Sequence, residues 1–365
     1  MKVNYSYLAE QFANSDPILE DIKKLILSGN FTLGKDLEIF EQKFAQFIKI
    51  KYAIGVASGT DALRLSLLAL GIKNGDEVIT TTNTFFATIG AIVTVGAKPI
   101  FIDVKDDYNI NPEQIEKAIT PRTRAILPVH WHGCPADMVK IIAIANRHNL
   151  PVVEDACMAL GAEIKGKKMG SFGDTGCFSL HPLKPLNVWG DGGIITTDSE
   201  EIKNCLLLLR NHGLKNRDEC EFYAFNSRLD PLQAIVGNHM INQVDWIIAQ
   251  KIKNATIYDK ALAKIPQVTI PSRDINTKQV YHNYVVMVEK RDELLSYLLA
   301  QGIDAKIHYP IPQHLQKASK LFGYKQGDLP QSELQATRII SLPVHQHLSE
   351  EQISYTAQKI AEFYK

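Results

Sequence analysis

The sequence of 365 residues lacks the features that mark several large classes of protein. Its five cysteines are odd in number and include no Cys-x-x-Cys pair, which argues against a disulfide framework. Acidic and basic residues both number 40, so no bulk charge directs the chain to nucleic acid or to an anionic membrane. No GxGxxG turn follows the first predicted strand, which disfavours a dinucleotide-binding oxidoreductase.

The sequence also lacks long hydrophobic runs. No stretch approaches the length of a membrane span, and the first residues contain no apolar signal core. There is no internal repeat and no low-complexity linker. Together with the cysteine pattern, these absences predict a cytoplasmic protein with reduced thiols, with no membrane partner, no nucleic-acid partner and no metal.

An alternation of short apolar strands and amphipathic helices runs through the first two thirds of the chain. This rhythm predicts an α/β fold, with a mostly parallel central sheet flanked by helices on both faces. One of the predicted helices covers residues 17–28 and ends before Gly29. The predicted strands cover residues 52–57, 77–80, 99–104, 124–129, 151–153, 177–180 and 194–197.

The last third of the chain has a different organisation. A long helical pattern at about 229–263, in one or two pieces, leads to a strand at 284–288, a helix at 291–299, a strand at 303–307 and a helix at 350–363. The length of the chain favours more than one core. We therefore expect a large domain at 1–245, with an N-terminal arm, and a small C-terminal α+β domain at 246–365.

Polar and aromatic residues follow several of the predicted strands. In sheets of this kind, ligands bind beyond the C-terminal ends of the strands. A pyridoxal phosphate enzyme needs a lysine, an acid for the pyridine nitrogen, a flat side chain over the ring and a cup of N–H groups and hydroxyls for the phosphate. The sequence offers Lys184, Asp155 and Phe85 for the first three, and Gly59, Thr60 and Ser179 for the phosphate.

Each of these residues also has a simpler interpretation. A lysine in a loop is normally a solvated surface charge. Ser58 before a helix is an ordinary N-cap, and from that stretch alone the cap is the better interpretation. The chemistry therefore depends on the whole set occurring in order.

The set resembles a known family, the fold-type-I, pyridoxal-phosphate-dependent sugar aminotransferases of the DegT type. The matching stretches follow the order of the family and span nearly the whole chain. They are Ser58-Gly59-Thr60-Asp61-Ala62-Leu63, Thr84-Phe85-Phe86-Ala87-Thr88, Val153-Glu154-Asp155-Ala156-Cys157, Phe178-Ser179-Leu180-His181-Pro182-Leu183-Lys184, Gly190-Asp191-Gly192-Gly193, Phe225-Asn226-Ser227-Arg228-Leu229 and Ile307-His308-Tyr309-Pro310.

The resemblance implies a role for each cofactor-binding residue. Lys184 would be the Schiff-base lysine and proton shuttle, Asp155 would pair with the pyridine nitrogen, and Phe85 would stack on the ring. Gly59, Thr60, Asp61 and Ser179 would hold the phosphate. Asn226 would reach the phosphate of the neighbouring subunit, which implies a homodimer with shared active sites, although a turn residue is the simpler interpretation. Met158 stands near the phenolic oxygen, where many relatives carry Gln or His.

One branch of the family replaces the lysine with histidine and dehydrates its substrate. Alignment on Phe178-Ser179 and Gly190-Asp191 puts the imine position on Lys184 and leaves His181 at a separate site. We therefore interpret the chain as a transaminase. A sugar dehydratase or a non-catalytic regulator of the same fold remains an alternative.

The stretch at 307–316 is similar to members that aminate C3 of nucleotide-linked 3-keto sugars. By that resemblance His308 and Tyr309 would contact the sugar, with Phe31, Thr32 and His181 as further substrate contacts. The amino donor would be L-glutamate, and the product an amino sugar for a surface polysaccharide such as lipopolysaccharide. Amination at C4 and a nucleotide-free keto sugar stay open.

Overall fold

The computed structural model describes the whole chain, residues 1–365. The helices are α1 Leu8–Gln11, α2 Asp16–Ser28, α3 Lys35–Ile48, α4 Gly59–Ala69, α5 Phe86–Thr94, α6 Ile115–Ala118, α7 Met138–His148, α8 Glu200–Leu209, α9 Pro231–Met240, α10 Val244–Leu262, α11 Arg291–Ala300, α12 Pro330–Arg338 and α13 Glu350–Phe363. The strands are β1 Tyr52–Val56, β2 Glu77–Thr81, β3 Lys98–Ile102, β4 Thr123–Leu127, β5 Val153–Asp155, β6 Glu163–Ile164, β7 Lys167–Lys168, β8 Thr175–Ser179, β9 Gly193–Thr197, β10 Val268–Thr269, β11 Thr277–Lys278, β12 Tyr284–Val288 and β13 Ile339–Leu342.

Seven strands form the central layer in the order β3-β2-β4-β5-β8-β9-β1. Parallel bridges join β4 to β5, at Ile126 with Val152 and at Val129 with Asp155. Only β9 runs against the others, since it pairs antiparallel with both β8 and β1. The predicted α/β fold with a mostly parallel sheet is therefore confirmed, and six strands direct their C-terminal ends to one edge.

The local signals in the sequence place the helices that cover this sheet. Gly29 ends α2 in the left-handed region, at φ 70°, where a residue without a Cβ is least strained. Phe40 and Phe44 of α3 are fully buried in the largest core. The apolar face of α2 is narrower than its sequence pattern suggests, because Ile18 and Leu25 are buried while Ile26 is exposed.

The C-terminal part has a three-stranded sheet in the order β10-β12-β13. The strand predicted at 303–307 is wrong, because this segment makes only isolated bridges, Val3 with Ile303 and Lys306 with Ser341. The strand that pairs with β12 is instead β13, a strand that the sequence pattern did not predict. The predicted strand at 284–288 and the helix at 350–363 are confirmed.

A separate hydrophobic core lies under this smaller sheet. It contains Tyr258, Tyr284 and Ile353, and it also takes in Val3 from the N-terminus. We propose that the domain boundary lies near residue 245. The N-terminal residue Val3 packs on the C-terminal core. None of the helices is both long enough and apolar enough to cross a membrane.

Candidate active site

A cavity of about 330 Å³ opens at the C-terminal edge of the central sheet. Five segments that end parallel strands contribute to its walls. Ser58 follows β1, Phe85 follows β2, Val129 follows β4, Asp155 ends β5 and Ser179 ends β8. The strand direction thus brings together residues that are far apart in the sequence.

Most of the residues that the sequence predicted for the site lie on this one cavity. His308 and Tyr309 reach it from the C-terminal part of the chain, and the others come from the large sheet and its loops. The predicted residues on the cavity wall are Gly59, Thr60, Phe85, Asp155, Met158, Ser179, His181, Lys184, His308 and Tyr309.

Four predicted residues lie elsewhere. The Asp61 N–H donates to Ser58 Oγ at 3.1 Å, which is the N-cap of α4. The Asp61 carboxylate accepts a hydrogen bond from the Ser227 hydroxyl and pairs with Arg64, each at 2.7 Å, so Asp61 faces the cap and not the cavity. The other three, Phe31, Thr32 and Asn226, are exposed and outside the cavity of a single chain.

Lys184 is held by its loop with its amine free. Its backbone N–H donates to the carbonyl of His181 at 2.8 Å, while its Nζ has no hydrogen-bond or ion-pair partner in the protein. Burial lowers the pKa of the Lys184 amine, and the nearby Cys157 and Asp155 oppose this only in part. A lowered pKa increases the fraction of neutral amine, which is the form that attacks a carbonyl carbon.

Asp155 is buried at the end of β5 and is fixed by two hydrogen bonds. The Thr88 hydroxyl donates to Oδ2 at 2.7 Å, and the Cys157 N–H donates to Oδ1 at 3.2 Å. Thr88 is itself 2.5 Å from the Thr84 hydroxyl. This network gives the carboxylate one orientation at the cavity edge.

The first turn of α4 meets the end of β8 at very short range. A Cβ on Gly59 would lie 2.7 Å from Ser179 Cβ and 3.1 Å from Cys157 Sγ. Helix N-termini carry partial positive charge and free N–H groups, so this closely packed turn suits an anion. Thr60 and Ser179 add hydroxyls to the same wall of the cavity.

A Gly59→Ala substitution tests this close approach. We expect it to lower the free energy of unfolding by about 1–3 kcal/mol, because backbone and Cβ atoms must move to admit the methyl group. It should also weaken retention of a phosphate-bearing ligand. Denaturant unfolding of the wild type and of Gly59→Ala measures the change in the free energy of unfolding. Gly90→Ala is the matched control, since a methyl group on Gly90 in α5 would meet no atom within 4 Å, and a stability loss equal to that of Gly59→Ala would contradict the explanation.

Aromatic side chains and a histidine form the opposite wall. The Phe85 ring lies 5.9 Å from the Tyr309 ring and 5.5 Å from that of Phe86. His308 Nδ1 is 2.9 Å from the Ser341 hydroxyl. Burial, and then the charge of Lys184, lowers the pKa of His308 to about 4, so its imidazole is neutral near pH 7.

The cavity also contains residues that the site prediction missed. Thr88 lay in a matched stretch, but only the structure shows its bond to Asp155. His282 and Asn283 directly precede β12, and nothing in their local pattern indicates that this strand begins beside Lys184. Trp189, in the loop after Lys184, does not line the cavity and packs edge-on against Phe12 at 5.6 Å.

These residues fit pyridoxal phosphate. An amine without a protein partner, a fixed carboxylate, a flat exposed ring and an anion-binding helix end share one cavity. Each group matches one part of that cofactor: aldehyde, ring nitrogen, ring face and phosphate.

Comparison with known proteins supports this fit. The model of the DegT/DnrJ/EryC1/StrS aminotransferase family matches residues 14–361. The chain is 41% identical to the UDP-N-acetyl-3-dehydro-alpha-D-glucosamine 3-aminotransferase of Acidithiobacillus ferrooxidans, over 94% of this chain and 93% of that protein. It is also 39% identical to a pleiotropic regulatory protein of Geobacillus stearothermophilus, over 100% and 99% of the two chains.

A solved structure shows the same fold in detail. The crystal structure of DesV from S. venezuelae, in complex with a ketimine intermediate, superposes with a TM-score of 0.97 at 38% identity. The match covers 100% of this chain and 99% of that one. Members of this family depend on pyridoxal phosphate and transfer amino groups to sugars. The matches over nearly the whole chain and the residues of the cavity thus indicate the same activity. The chain is a pyridoxal-phosphate-dependent sugar aminotransferase and belongs to the DegT/DnrJ/EryC1/StrS aminotransferase family.

Proposed function

We propose that this aminotransferase moves the amino group of L-glutamate to C3 of a nucleotide-linked 3-keto sugar, for an amino sugar of a surface polysaccharide. The observation that carries the proposal is the position of His308 and Tyr309 on the same cavity as Lys184. The relative from A. ferrooxidans, whose name specifies a UDP-linked 3-dehydro sugar, supports the choice of carbon and of nucleotide sugar.

In this proposal Lys184 and Asp155 are the two catalytic residues of the chain. Bound pyridoxal phosphate supplies an aldehyde that bonds to an amine and a ring that accepts electrons. Lys184 Nζ would hold the cofactor covalently. Once the amino group of the donor has replaced it there, the released neutral amine would take the proton from the carbon that bears the transferred amino group. Asp155, fixed by Thr88 and Cys157, would keep a proton on the ring nitrogen.

The remaining cavity residues position the cofactor. Gly59 and Thr60 at the start of α4 and the Ser179 hydroxyl would hold the phosphate, while the Asp61 N–H donates to the N-cap residue Ser58. Phe85 would stack on the ring. Met158 is buried on the cavity wall, and its thioether does not donate a hydrogen bond to the phenolic oxygen as Gln or His would.

We propose a homodimer with shared active sites. Asn226 is exposed and outside the single-chain cavity, as a contact with the partner's phosphate requires, and Phe31 and Thr32 share that position. Tyr223, near Asn226, is fully exposed, and Phe222 and Phe225 beside it are partly so, which is an apolar surface that a second copy would cover. We propose the cytoplasm as the location, since all five cysteines are free.

The sugar itself is tested by turnover. We expect glutamate-dependent formation of a 3-amino sugar when the holoenzyme meets UDP- or dTDP-linked 3-keto sugars, with His181, His308 and Tyr309 among the sugar contacts. The measurement is mass spectrometry and NMR of the product, which identify the carbon that carries nitrogen. Nitrogen at C4, turnover of a nucleotide-free keto sugar only, or release of a dehydrated sugar would each overturn the proposed substrate.

A further inference from the structure

A second, smaller cavity adjoins the active site. We call it the Lys251 chamber: a space of about 60 Å³ lined by Tyr5, Tyr7, Lys251, His345 and their neighbours. It shares four wall residues with the main cavity, namely Leu183, His282, Asn283 and His308. The two spaces therefore adjoin each other at these four side chains.

Lys251 is a buried amine without an anion. Only 2% of the residue is exposed, and its Nζ donates to the carbonyls of Tyr281 and His282 at 3.3 and 3.2 Å. No carboxylate pairs with it, and no acidic side chain lines the chamber. Buried lysines are rare unless paired, because their charge loses its hydration. The third N–H of the protonated amine has no partner in the chain.

The rest of the chamber is polar and incompletely hydrogen-bonded. His345 Nε2 is 3.1 Å from the carbonyl of Asn4, which leaves its buried Nδ1 without a partner, and His282 Nδ1 is also buried and unpaired. The N-terminal segment closes the space. Tyr5 donates to Asn283 Oδ1 at 2.6 Å, and the Tyr7 ring stacks on His345 at 5.1 Å.

These features indicate what kind of ligand the chamber takes. Its volume is that of about two water molecules, which admits a carboxylate group and excludes a sugar ring. Burial lowers the pKa of Lys251 to about 7, so a bound anion would favour the protonated amine and the protonated amine would favour an anion. Under the proposed function, the amino donor carries a carboxylate next to the amine that must reach Lys184, whereas the charges of a nucleotide sugar lie on its diphosphate, away from the keto carbon.

We propose that the Lys251 chamber is the site for a carboxylate of the amino donor, with Lys251 as the cation that binds it. This inference rests on the proposed function and adds the recognition of the donor to it. Lys251 then acts in the half-reaction with the amino acid and has no part in the half-reaction with the sugar. The burial of its charge is compensated each time a donor is bound.

The test uses the holoenzyme and glutarate, a dicarboxylate without an amine that binds but cannot react. We expect Lys251→Met to lower the affinity for glutarate by about tenfold or more in isothermal titration calorimetry, the size expected for a lost charge-assisted hydrogen bond. Lys251→Gln, which keeps donors for the two carbonyls, should lose affinity as well. Lys253→Met is the matched control, because Lys253 lies on the same helix at the surface and pairs with Glu350.

Separate half-reactions give the second readout. Stopped-flow absorbance should show weaker binding of L-glutamate to Lys251→Met and an unchanged reaction of the aminated enzyme with the keto sugar. Glutarate affinity within twofold of wild type in both Lys251 variants would overturn the inference, as would equal binding of glutaramide, the uncharged analogue. If no keto sugar reacts but glutarate binding still depends on Lys251, the proposed function fails while the chamber stands.

Discussion

Replacing Lys184 with Ala abolishes transamination, by a factor of about 10⁴ or more in kcat, because the chain then has no amine at the cavity to bond the cofactor and move the proton. The folded protein survives the change. Lys184 Nζ has no hydrogen bond in the protein, and burial disfavours its charge and lowers its pKa, so its removal costs no hydrogen bond or ion pair. Absorbance spectra after reconstitution with pyridoxal phosphate, together with turnover, measure the result.

Two further measurements separate chemistry from structure at this position. Lys184→Arg keeps a positive charge but cannot form the covalent bond, so it should be as inactive as Lys184→Ala. Added methylamine should restore part of the activity of Lys184→Ala, since a small amine can enter the space that the side chain leaves. Activity of Lys184→Arg above about a hundredth of wild type would contradict the assigned role.

The second large effect is expected at Asp155. Asp155→Asn should lower kcat about 10²–10³-fold, because an amide does not stabilise a proton on the ring nitrogen as a carboxylate does. The fold should be unaffected, since the amide oxygen of Asn can accept one of the two hydrogen bonds that now come from Thr88 and Cys157. The measurement is the rate of the glutamate half-reaction alone.

Thr88→Val provides the graded control for Asp155. It removes the 2.7 Å hydrogen bond to Oδ2 but keeps the carboxylate, so its loss of rate should be much smaller than that of Asp155→Asn. Equal losses in the two variants would mean that the orientation of Asp155, and not its charge, is what matters. A rate for Asp155→Asn above about a tenth of wild type would remove Asp155 from the mechanism.

The sequence could predict the sheet and most of the cavity wall because both depend on local patterns. The ends of parallel strands must meet at one edge, so Ser58, Phe85, Asp155 and Ser179 come together once the strands are recognised. The types of residue at those strand ends are then enough to predict the cofactor. These residues at the strand ends are also what identifies Lys184 as the cofactor lysine, since a lysine in a loop is otherwise interpreted as a surface charge.

Other features depend on contacts between distant segments and left no local signal. The run at 303–307 alternates apolar and charged residues as a strand does, but the segment that pairs with β12 is Ile339–Leu342. Nothing in the sequence around Lys251 shows that residues 5–7 and 345 close a chamber over it.

Locating the cofactor on the chain tests most directly whether Lys184 is the lysine that bonds it. Holoenzyme is reduced with borohydride, digested and analysed by peptide mass spectrometry. We expect the pyridoxyl mass on the peptide containing Lys184 and not on that containing Lys251, the buried lysine of the adjoining chamber. A label on Lys251 or on a surface lysine, or no label at all, would contradict it.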